Sequence, residues 1–558
     1  MLNTLNRRTV LIGIGMVVLF SNGLLLLNDH MIVDGWLWSF WAATGRLHML
    51  ETIYEQQGHG LGILFHLPFY TVQYADIDDT IRLYKLISFL CILIGTVALY
   101  YALIPWFGDG NAAWVAAFAA AIPMHQTAGD PGIWLYQFSY FLFSMAFLCA
   151  VGFETASVNR YVRFVLRSAA LLLFFFSFHL NSILVFYFGF LVLMMRMNMD
   201  RYSAPELLNA CRSRFDFLIL PFLFWAHKQF FFPRHGDNVT YNQINLNPLE
   251  TLSGIASSIY DGPVSILITS FTRLQYLPVL LTIAVLGVGM LIAWIFRNGQ
   301  ARTPDPRRLS FLETVLLAVF WMLCGILPYV VVGQGGRFDD HGWATKNTIL
   351  MALPVALLLT RLTDWKNLYA KITRVILVLV FSLASLVTLA LLQIESIKIR
   401  STVNQVEAGA VTPGVIEIED RYPVPFSEPE RMILPWTYAF ARNKDAIETV
   451  VFQADSSAPG RVRGCHAVAL KPVAQAYSIS EVEALIDCNG KLIASELAQV
   501  RTDGRQAYLQ IQVKPEIASP RDALIEYYLT RLSFGDPDEN PELNRFAEID
   551  LRPRATIQ

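Results

Sequence analysis

The sequence predicts a polytopic α-helical membrane protein of about eleven spans, followed by a C-terminal β-rich or α+β domain outside the membrane. Of its 558 residues, 54% are hydrophobic and only 16% are charged, whereas soluble domains carry about 25% charged residues. The apolar residues form runs long enough to cross a bilayer. A net charge of −2 without a basic domain excludes an ordinary nucleic-acid-binding protein.

The spans follow from apolar runs of roughly 15–22 residues. A further run at 215–232 is apolar enough to span. Residues 168–195 form a largely apolar run of 28 residues, about 42 Å as one helix, which is too long for one untilted span. A polar group at the midpoint, which includes His179 and Asn181, predicts a hairpin of two helices. The other predicted spans are 10–28, 84–105, 111–125, 133–152, 276–296, 311–332, 347–360 and 374–394.

The distribution of basic residues gives the orientation. With the hairpin, 17 basic residues before the tail lie on the inner side and eight on the outer side, as the positive-inside rule requires. The sequence therefore predicts an inner (plasma) membrane protein with a cytoplasmic N-terminus. The first apolar run is longer than a signal-peptide core, which predicts a retained anchor.

The composition changes after residue 395, which predicts a membrane domain at 1–395 and a periplasmic or extracellular soluble domain at 396–558. Alternating runs at 465–471 and 507–513 are typical of strands. Cys465 and Cys488 are the only cysteines assigned to the outer side, where a disulfide persists, so we predict that they pair.

The first outer loop, residues 29–82, carries the main acidic candidate. Asp34 stands immediately before a stripe of apolar residues at helical spacing, which predicts a helix on the membrane surface. Asp34 can act as the N-cap of that helix or as a general base, and the two roles are compatible; Asp29 is the second choice. The histidines of this loop fit no zinc motif, so no metal site is predicted. The stripe consists of Trp36, Phe40, Ala43, Leu47 and Leu50.

Two later segments add candidates. Asp130, in the loop before the fourth span, is either a second catalytic carboxylate or an ordinary Asp-Pro turn residue. The segment 333–346 combines glycines with Arg337, His341 and Lys346. It is either a solvated loop or a nest of backbone N–H groups and cations for an anion.

The order of these features resembles the GT-C superfamily of membrane glycosyltransferases. A first span is followed by an acidic residue and a surface helix, and then by a series of short motifs. Asp34 is followed by Gly35 instead of a second acidic residue, which leaves a divalent cation open. The motifs are Gly58-His59-Gly60, Leu67-Pro68-Phe69, Asp78-Asp79-Thr80-Ile81-Arg82, Trp106-Phe107-Gly108 and Ile122-Pro123.

The resemblance implies transfer, with inversion, from a polyprenyl-phosphate-sugar donor to a glycan, lipid or protein acceptor outside the membrane. Asp34 and Asp130 are then the predicted catalytic residues, and Arg337 is predicted to bind the donor phosphate. Lys346, Arg82, His59 and His341 complete the predicted substrate-binding set. The alternatives are a transporter or flippase and a polyprenyl-glycan ligase or polymerase.

Overall fold

The computed structural model describes most of the chain. It covers residues 2–553 except 33, 44, 72–76, 125–127, 156–158, 198, 200–202, 237–242, 246, 277–308, 336–342, 365–367, 409–414, 421–448, 454–464, 470–482, 487–491, 495–507 and 517–518.

Helices dominate the part before residue 409. The first loop holds three short helices between the first helix and a long second membrane segment. In chain order the helices are α1 (Leu2–Asn22), α2 (Asp34–Ala43), α3 (Leu47–Gln56), α4 (Leu67–Tyr70), α5 (Ile77–Ala121), α6 (Trp134–Thr155), α7 (Arg160–Ser177), α8 (Asn181–Arg196), α9 (Ala204–Ser213), α10 (Phe215–Phe231), α11 (Pro248–Ile259), α12 (Ser265–Thr272), α13 (Phe311–Val330), α14 (Ala352–Leu362) and α15 (Leu368–Ala408).

Five described segments are long and apolar enough to cross a bilayer, so the chain is a multi-pass membrane protein. The predicted span 276–296 lies almost entirely outside the described residues. The count of eleven spans and the sidedness of the termini stay predictions. The five segments are Arg7–Leu26, Ile77–Ala121, Pro131–Thr155, Phe311–Val330 and Lys371–Gln405.

The helix α5 contains a kink between two predicted spans, 84–105 and 111–125. Gly108 has φ 71° and ψ 162°, and Pro105 lies inside the same helix. Proline removes a backbone donor and clashes with the preceding turn, while glycine adopts positive φ without a Cβ penalty. The two residues together therefore explain why 45 residues form two segments that meet at an angle.

The predicted hairpin at 168–195 is confirmed as two helices. α7 ends at Ser177 and α8 begins at Asn181. Across the break, the ring of Phe174 lies 4.8 Å from that of Tyr187 and 4.5 Å from that of Phe190, measured between centroids. The second helix therefore folds back onto the first.

The hairpin is fixed to the later helices by close packing. A Cβ atom at Gly189 of α8 would lie 2.2 Å from Cδ1 of Trp321 in α13. The indole nitrogen of this buried tryptophan donates to the carbonyl of Phe186 at 2.9 Å. A side chain larger than hydrogen at Gly189 would therefore separate α8 from α13.

The described part of the tail contains a seven-stranded mixed sheet and the helix α16 (Pro520–Leu532). The strand order is β5-β4-β3-β2-β1-β6-β7, and β1 runs parallel to both β2 and β6. α15 continues through the predicted domain boundary at 395/396, and that boundary stays a prediction. The strands are β1 (Val415–Asp420), β2 (Thr449–Gln453), β3 (Cys465–Ala469), β4 (Glu483–Ile486), β5 (Leu492–Ala494), β6 (Tyr508–Glu516) and β7 (Ala547–Pro553).

The predicted disulfide between Cys465 and Cys488 is not supported. Cys488 lies outside the described residues. The cysteines whose side chains the structure describes are all free: Cys91, Cys149, Cys211 and Cys324.

Candidate active site

The single surface helix predicted to follow Asp34 is two helices in the structure. The apolar stripe lies on two helices, α2 and α3, separated at Gly45, which has φ 74°. Trp36, Phe40 and Leu50 of that stripe are buried in a common apolar cluster, so it faces protein instead of lying on a membrane surface. The glycine is the signal in the sequence that could have predicted the break.

Asp34 is the first residue of α2, and its side chain is not described. Its surroundings are fixed by the residues on either side. The backbone N–H of Gly35 donates to the carbonyl of Ile32 at 2.7 Å, which forms a turn directly before the helix. Asp34 thus occupies the position where an acidic side chain favours the helix dipole.

Asp130 is hydrogen-bonded to that same turn. The residue is 1% exposed. Its Oδ1 accepts the backbone N–H of Gly132 at 2.8 Å, and its Oδ2 accepts that of Ile32 at 2.6 Å. The first bond is the turn interaction expected of Asp-Pro. The second bond joins the loop before α6 to the segment before α2. An Asp-Pro turn does not require such a bond.

Gly35 allows this close approach. A Cβ atom at position 35 would lie 2.2 Å from Oδ2 of Asp130, a distance that atoms do not reach without a shift. The residue after Asp34 therefore packs directly on the Asp130 carboxylate. The structure brings the beginning of α2, where Asp34 lies, together with the second predicted catalytic residue.

We expect Gly35→Ala to disturb this contact. The added methyl group must displace the Asp130 carboxylate or the start of α2, at a cost of about 1–3 kcal/mol for overpacking. The activity of the site should fall more than the global stability, and a thermal denaturation beside a turnover assay measures both. Gly15→Ala is the control, because nothing lies within 4 Å of a Cβ atom there. Equal behaviour of the two variants would contradict the close packing.

A buried lysine, Lys85 of α5, lies beside the two loops. It is 1% exposed, and its ammonium has no hydrogen-bond partner among the described residues. Its nearest acidic charges are Asp130 and Asp29, and a Cβ atom at Gly129 would lie 2.8 Å from its Cδ. The positive charge of Lys85 therefore compensates part of the charge of these two carboxylates. Its N–H groups remain able to bind a further anion. From the sequence alone, Lys85 is only one basic residue near the start of a predicted span.

Asp29 is bound on every side. It is 6% exposed, and its carboxylate accepts hydrogen bonds from Gln393 at 2.6 Å, Ser396 at 2.8 Å, Arg400 at 2.6 Å and Arg531 at 2.9 Å. Burial alone would raise the pKa of Asp29, but the two guanidinium groups hold it well below its usual range. A carboxylate with this pKa and no free lone pair is a poor general base, so the second choice for that role is disfavoured.

The C-terminal segment contributes directly to this region. Tyr527 and Tyr528 of α16 donate hydrogen bonds to the carbonyl of Leu27 at 3.1 Å and to the side chain of Asn28 at 2.9 Å. Together with Arg531 they hold the first residues of the loop against α16. The C-terminal tail therefore helps to hold the first outer loop in position.

The middle of the first loop folds around His66. This buried imidazole forms hydrogen bonds with the hydroxyl groups of Tyr54 and, at 3.3 Å, Tyr84. The ring of Trp38 lies 4.8 Å from the imidazole, edge to face. Burial lowers the pKa of His66 to about 3, so it is neutral at physiological pH and acts in packing.

The remaining predicted residues lie elsewhere or are not described. Arg82 is half-exposed and pairs with Asp79 at 3.2 Å, one turn earlier on α5. Lys346 is half-buried in the turn that precedes α14. His59 packs against the end of α10 instead of Asp130. Arg337 and His341 lie outside the described residues, and among the described residues no group of three His, Cys, Asp or Glu side chains could hold a metal ion.

The solved structures that are similar to this chain include two structures of ArnT. The crystal structure of ArnT from Cupriavidus metallidurans bound to undecaprenyl phosphate is 12% identical, with a TM-score of 0.34, and covers 83% of this chain and 99% of that chain. The apo structure of the same protein is 12% identical, with a TM-score of 0.33, and covers 81% and 94% of the respective chains.

ArnT is a GT-C glycosyltransferase, the class that the sequence resembles. No protein-family model and no curated protein matches the sequence.

Proposed function

We propose that the chain transfers a sugar from a polyprenyl-phosphate donor to a glycan, lipid or protein acceptor outside the membrane, with inversion at the sugar. The observation that carries this proposal is the contact of Asp130 with Ile32 and Gly35. This contact joins the loop before α6 to the beginning of α2, and the charge of the buried Lys85 interacts with that of Asp130.

The proposed reaction is a single displacement. Asp34 accepts the proton of the acceptor hydroxyl group as its oxygen attacks the anomeric carbon. The bond from that carbon to the phosphate oxygen breaks, and polyprenyl phosphate leaves with the electron pair. Attack and departure on opposite faces invert the configuration. Asp130 is a positioning residue in this scheme, because both its oxygens already accept backbone N–H groups.

The leaving phosphate requires positive charge more than a proton. We propose that Arg337 binds it, assisted by Lys346, Arg82 and His341, whereas His59 lies beside Lys228 at the end of α10. The ammonium of Lys85 is buried and makes no hydrogen bond within the described residues, so it can supply further positive charge beside Asp130. A guanidinium group binds two phosphate oxygens at once.

A transporter or flippase predicts ionisable residues along a path within the membrane. A cavity lies between α1, α5, α6 and α15, and its described lining contains no Asp, Glu, Lys, Arg or His side chain. Its polar residues are uncharged and include Asn22, Gln137 and Thr388. The charged groups cluster instead at the loops, which favours a reaction at the membrane surface.

The proposal is tested with purified protein in lipid nanodiscs and a polyprenyl-phosphate donor labelled in the sugar. We expect label to leave the lipid phase, with release of one polyprenyl phosphate per sugar transferred, and no transfer from nucleotide sugars. Proteoliposomes supply the contrasting result. If intact labelled lipid crosses the bilayer and no sugar is released, the protein is a flippase and the proposal is wrong.

A further inference from the structure

A group of basic side chains surrounds the C-terminal end of α10. Lys228 is 9% exposed, and its ammonium donates to the side-chain oxygen of Asn181 at 3.1 Å. No ion pair joins it to a carboxylate among the described residues, and its nearest charged neighbour is another cation, Arg234. A buried cation without a counter-ion is unfavourable unless an anion joins it.

The loop after α3 closes one side of this group. Gly58 has φ 72°, and a Cβ atom there would lie 2.6 Å from the carbonyl oxygen of Phe232 and 3.3 Å from Cε of Lys228. The next residue, His59, has a buried Nδ1 without a hydrogen-bond partner. Burial, and then the charges of Lys228, His179 and Arg234, hold the pKa of His59 well below its usual value, so its neutral ring can donate or accept one hydrogen bond.

The turn between α7 and α8 closes the other side. His179 is 3% exposed, and its Nε2 is buried without a hydrogen-bond partner. The N-cap of the 16-residue helix α8 is Leu180, which gives no side-chain cap. The first N–H groups of a helix have no partner within the helix, and they carry the positive end of its dipole. The Lys228 ammonium, the two imidazole nitrogens without a partner and the N-terminus of α8 therefore favour an anion at this place.

The surface next to this group is apolar. Helix α10 exposes large apolar side chains along its length. Phe230 and Phe231, which follow Lys228 at the C-terminal end of the helix, are both exposed. Exposed aromatic residues beside basic ones are typical of the membrane interface, where lipid phosphates lie. The other exposed residues of this face are Phe222, Leu223 and Trp225.

We propose that Lys228, His59, His179 and the N-terminus of α8 bind the phosphate of a lipid whose chain lies along the exposed face of α10. Lys228 contacts Asn181 and lies against the loop after α3, whereas Asp130 contacts the segment before α2, so these residues form a second anion site. If the lipid is the polyprenyl-phosphate donor or its sugar-free product, the site is the place where this substrate or product docks. That case rests on the proposed function. A phospholipid head group presents the same phosphate chemistry.

The test measures binding without catalysis. The full chain in phosphatidylcholine nanodiscs is titrated with sugar-free polyprenyl monophosphate, and Kd is measured by native mass spectrometry. We expect Lys228→Gln to weaken binding about tenfold or more, the loss of one charge-assisted contact. Lys228→Arg should retain most of the affinity, and Lys371→Gln, an exposed lysine at the start of α15, should leave it unchanged.

A second readout separates binding from structure. Without added lipid, Lys228→Gln should unfold at the same temperature as the wild type or higher, because the unpaired cation is gone. A lower Tm with an unchanged Kd would mean that Lys228 only supports the fold, and would overturn the site. Competition by phosphatidylglycerol identifies a phospholipid as the occupant and supports the site. Equal affinity for inorganic phosphate alone would contradict a lipid ligand.

The two proposals fail separately. Unchanged Kd values with normal sugar release would remove this site and keep the transferase. A Lys228-dependent Kd without any sugar release would keep the site and remove the transferase.

Discussion

Asp34→Asn will lower the rate of sugar transfer by roughly 10²–10⁴, the range that loss of a general base produces. Asparagine keeps the size of the side chain and can still cap the first turn of α2, but it accepts no proton. The turn formed by Ile32 and Gly35 and the contact with Asp130 involve backbone atoms, so the fold should persist. Initial rates with saturating donor, beside a thermal denaturation, measure both quantities.

Asp79→Asn is the matched control for this experiment. Asp79 lies in the first turn of α5, is exposed, and pairs only with Arg82 among the described residues. An exposed pair of this kind contributes about 0–1 kcal/mol, so the control should keep its rate and its Tm. Full activity of Asp34→Asn would exclude Asp34 as the base and would leave Asp130 as the acidic candidate at the start of α2.

Asp29→Asn will be the most destabilising of these carboxylate substitutions, by about 3–5 kcal/mol. The carboxylate accepts from Arg400 at 2.6 Å and from Arg531 at 2.9 Å. Arg400 keeps Asp538 at 2.5 Å as a second partner, whereas Arg531 has no other described carboxylate. Removing the negative charge leaves a largely buried guanidinium group uncompensated. Denaturant unfolding in mild detergent measures the loss, and a change as small as that of Asp79→Asn would contradict the buried network.

The same carboxylate predicts a pH dependence. Because Arg400 and Arg531 hold the pKa of folded Asp29 below that of the unfolded chain, protons bind the unfolded state more readily. The stability that Asp29 contributes is therefore complete above pH of about 4, the unfolded value, and is lost as the pH falls below it. In Asp29→Asn this part of the acid sensitivity should disappear. An unchanged acid midpoint would contradict the assignment.

Local signals allowed parts of the fold to be predicted from the sequence. Pro105 and Gly108 interrupt an apolar run, and the kink of α5 lies there. The polar residues near His179 interrupt another run, and the break between α7 and α8 lies there. Each of these signals acts within one or two helical turns. The break at Gly45 had an equally local signal, which the continuous apolar stripe obscured.

The neighbours of Asp29 could not be predicted in this way. Gln393, Ser396, Arg400 and Arg531 lie 364 to 502 residues away in sequence. Three of them lie on α15, where the sequence alone would assign them to a span or a linker. Only the packing of α15 and α16 against the first loop turns them into its partners. Long-range contacts of this kind leave no spacing pattern in the sequence.

The role of Lys85 depends on packing in the same way. From sequence it is one basic residue near the start of a span. Its burial comes from the loop that contains Gly129 and Asp130, which closes over the side chain. The same loop supplies the carboxylate that fixes the segment before α2. One loop thus determines the environment of both charged groups.

A double-mutant cycle between Asp34 and Asp130 tests the central claim most directly, namely that the two loops form one catalytic site. The rates of Asp34→Asn, Asp130→Asn and the double variant are measured with the labelled polyprenyl-phosphate donor. If Asp130 acts by positioning the start of α2, its loss should cost much less once Asp34 cannot accept a proton. The double variant should then be nearly as active as Asp34→Asn alone. Losses that simply multiply would show that the two carboxylates act independently and would contradict the account.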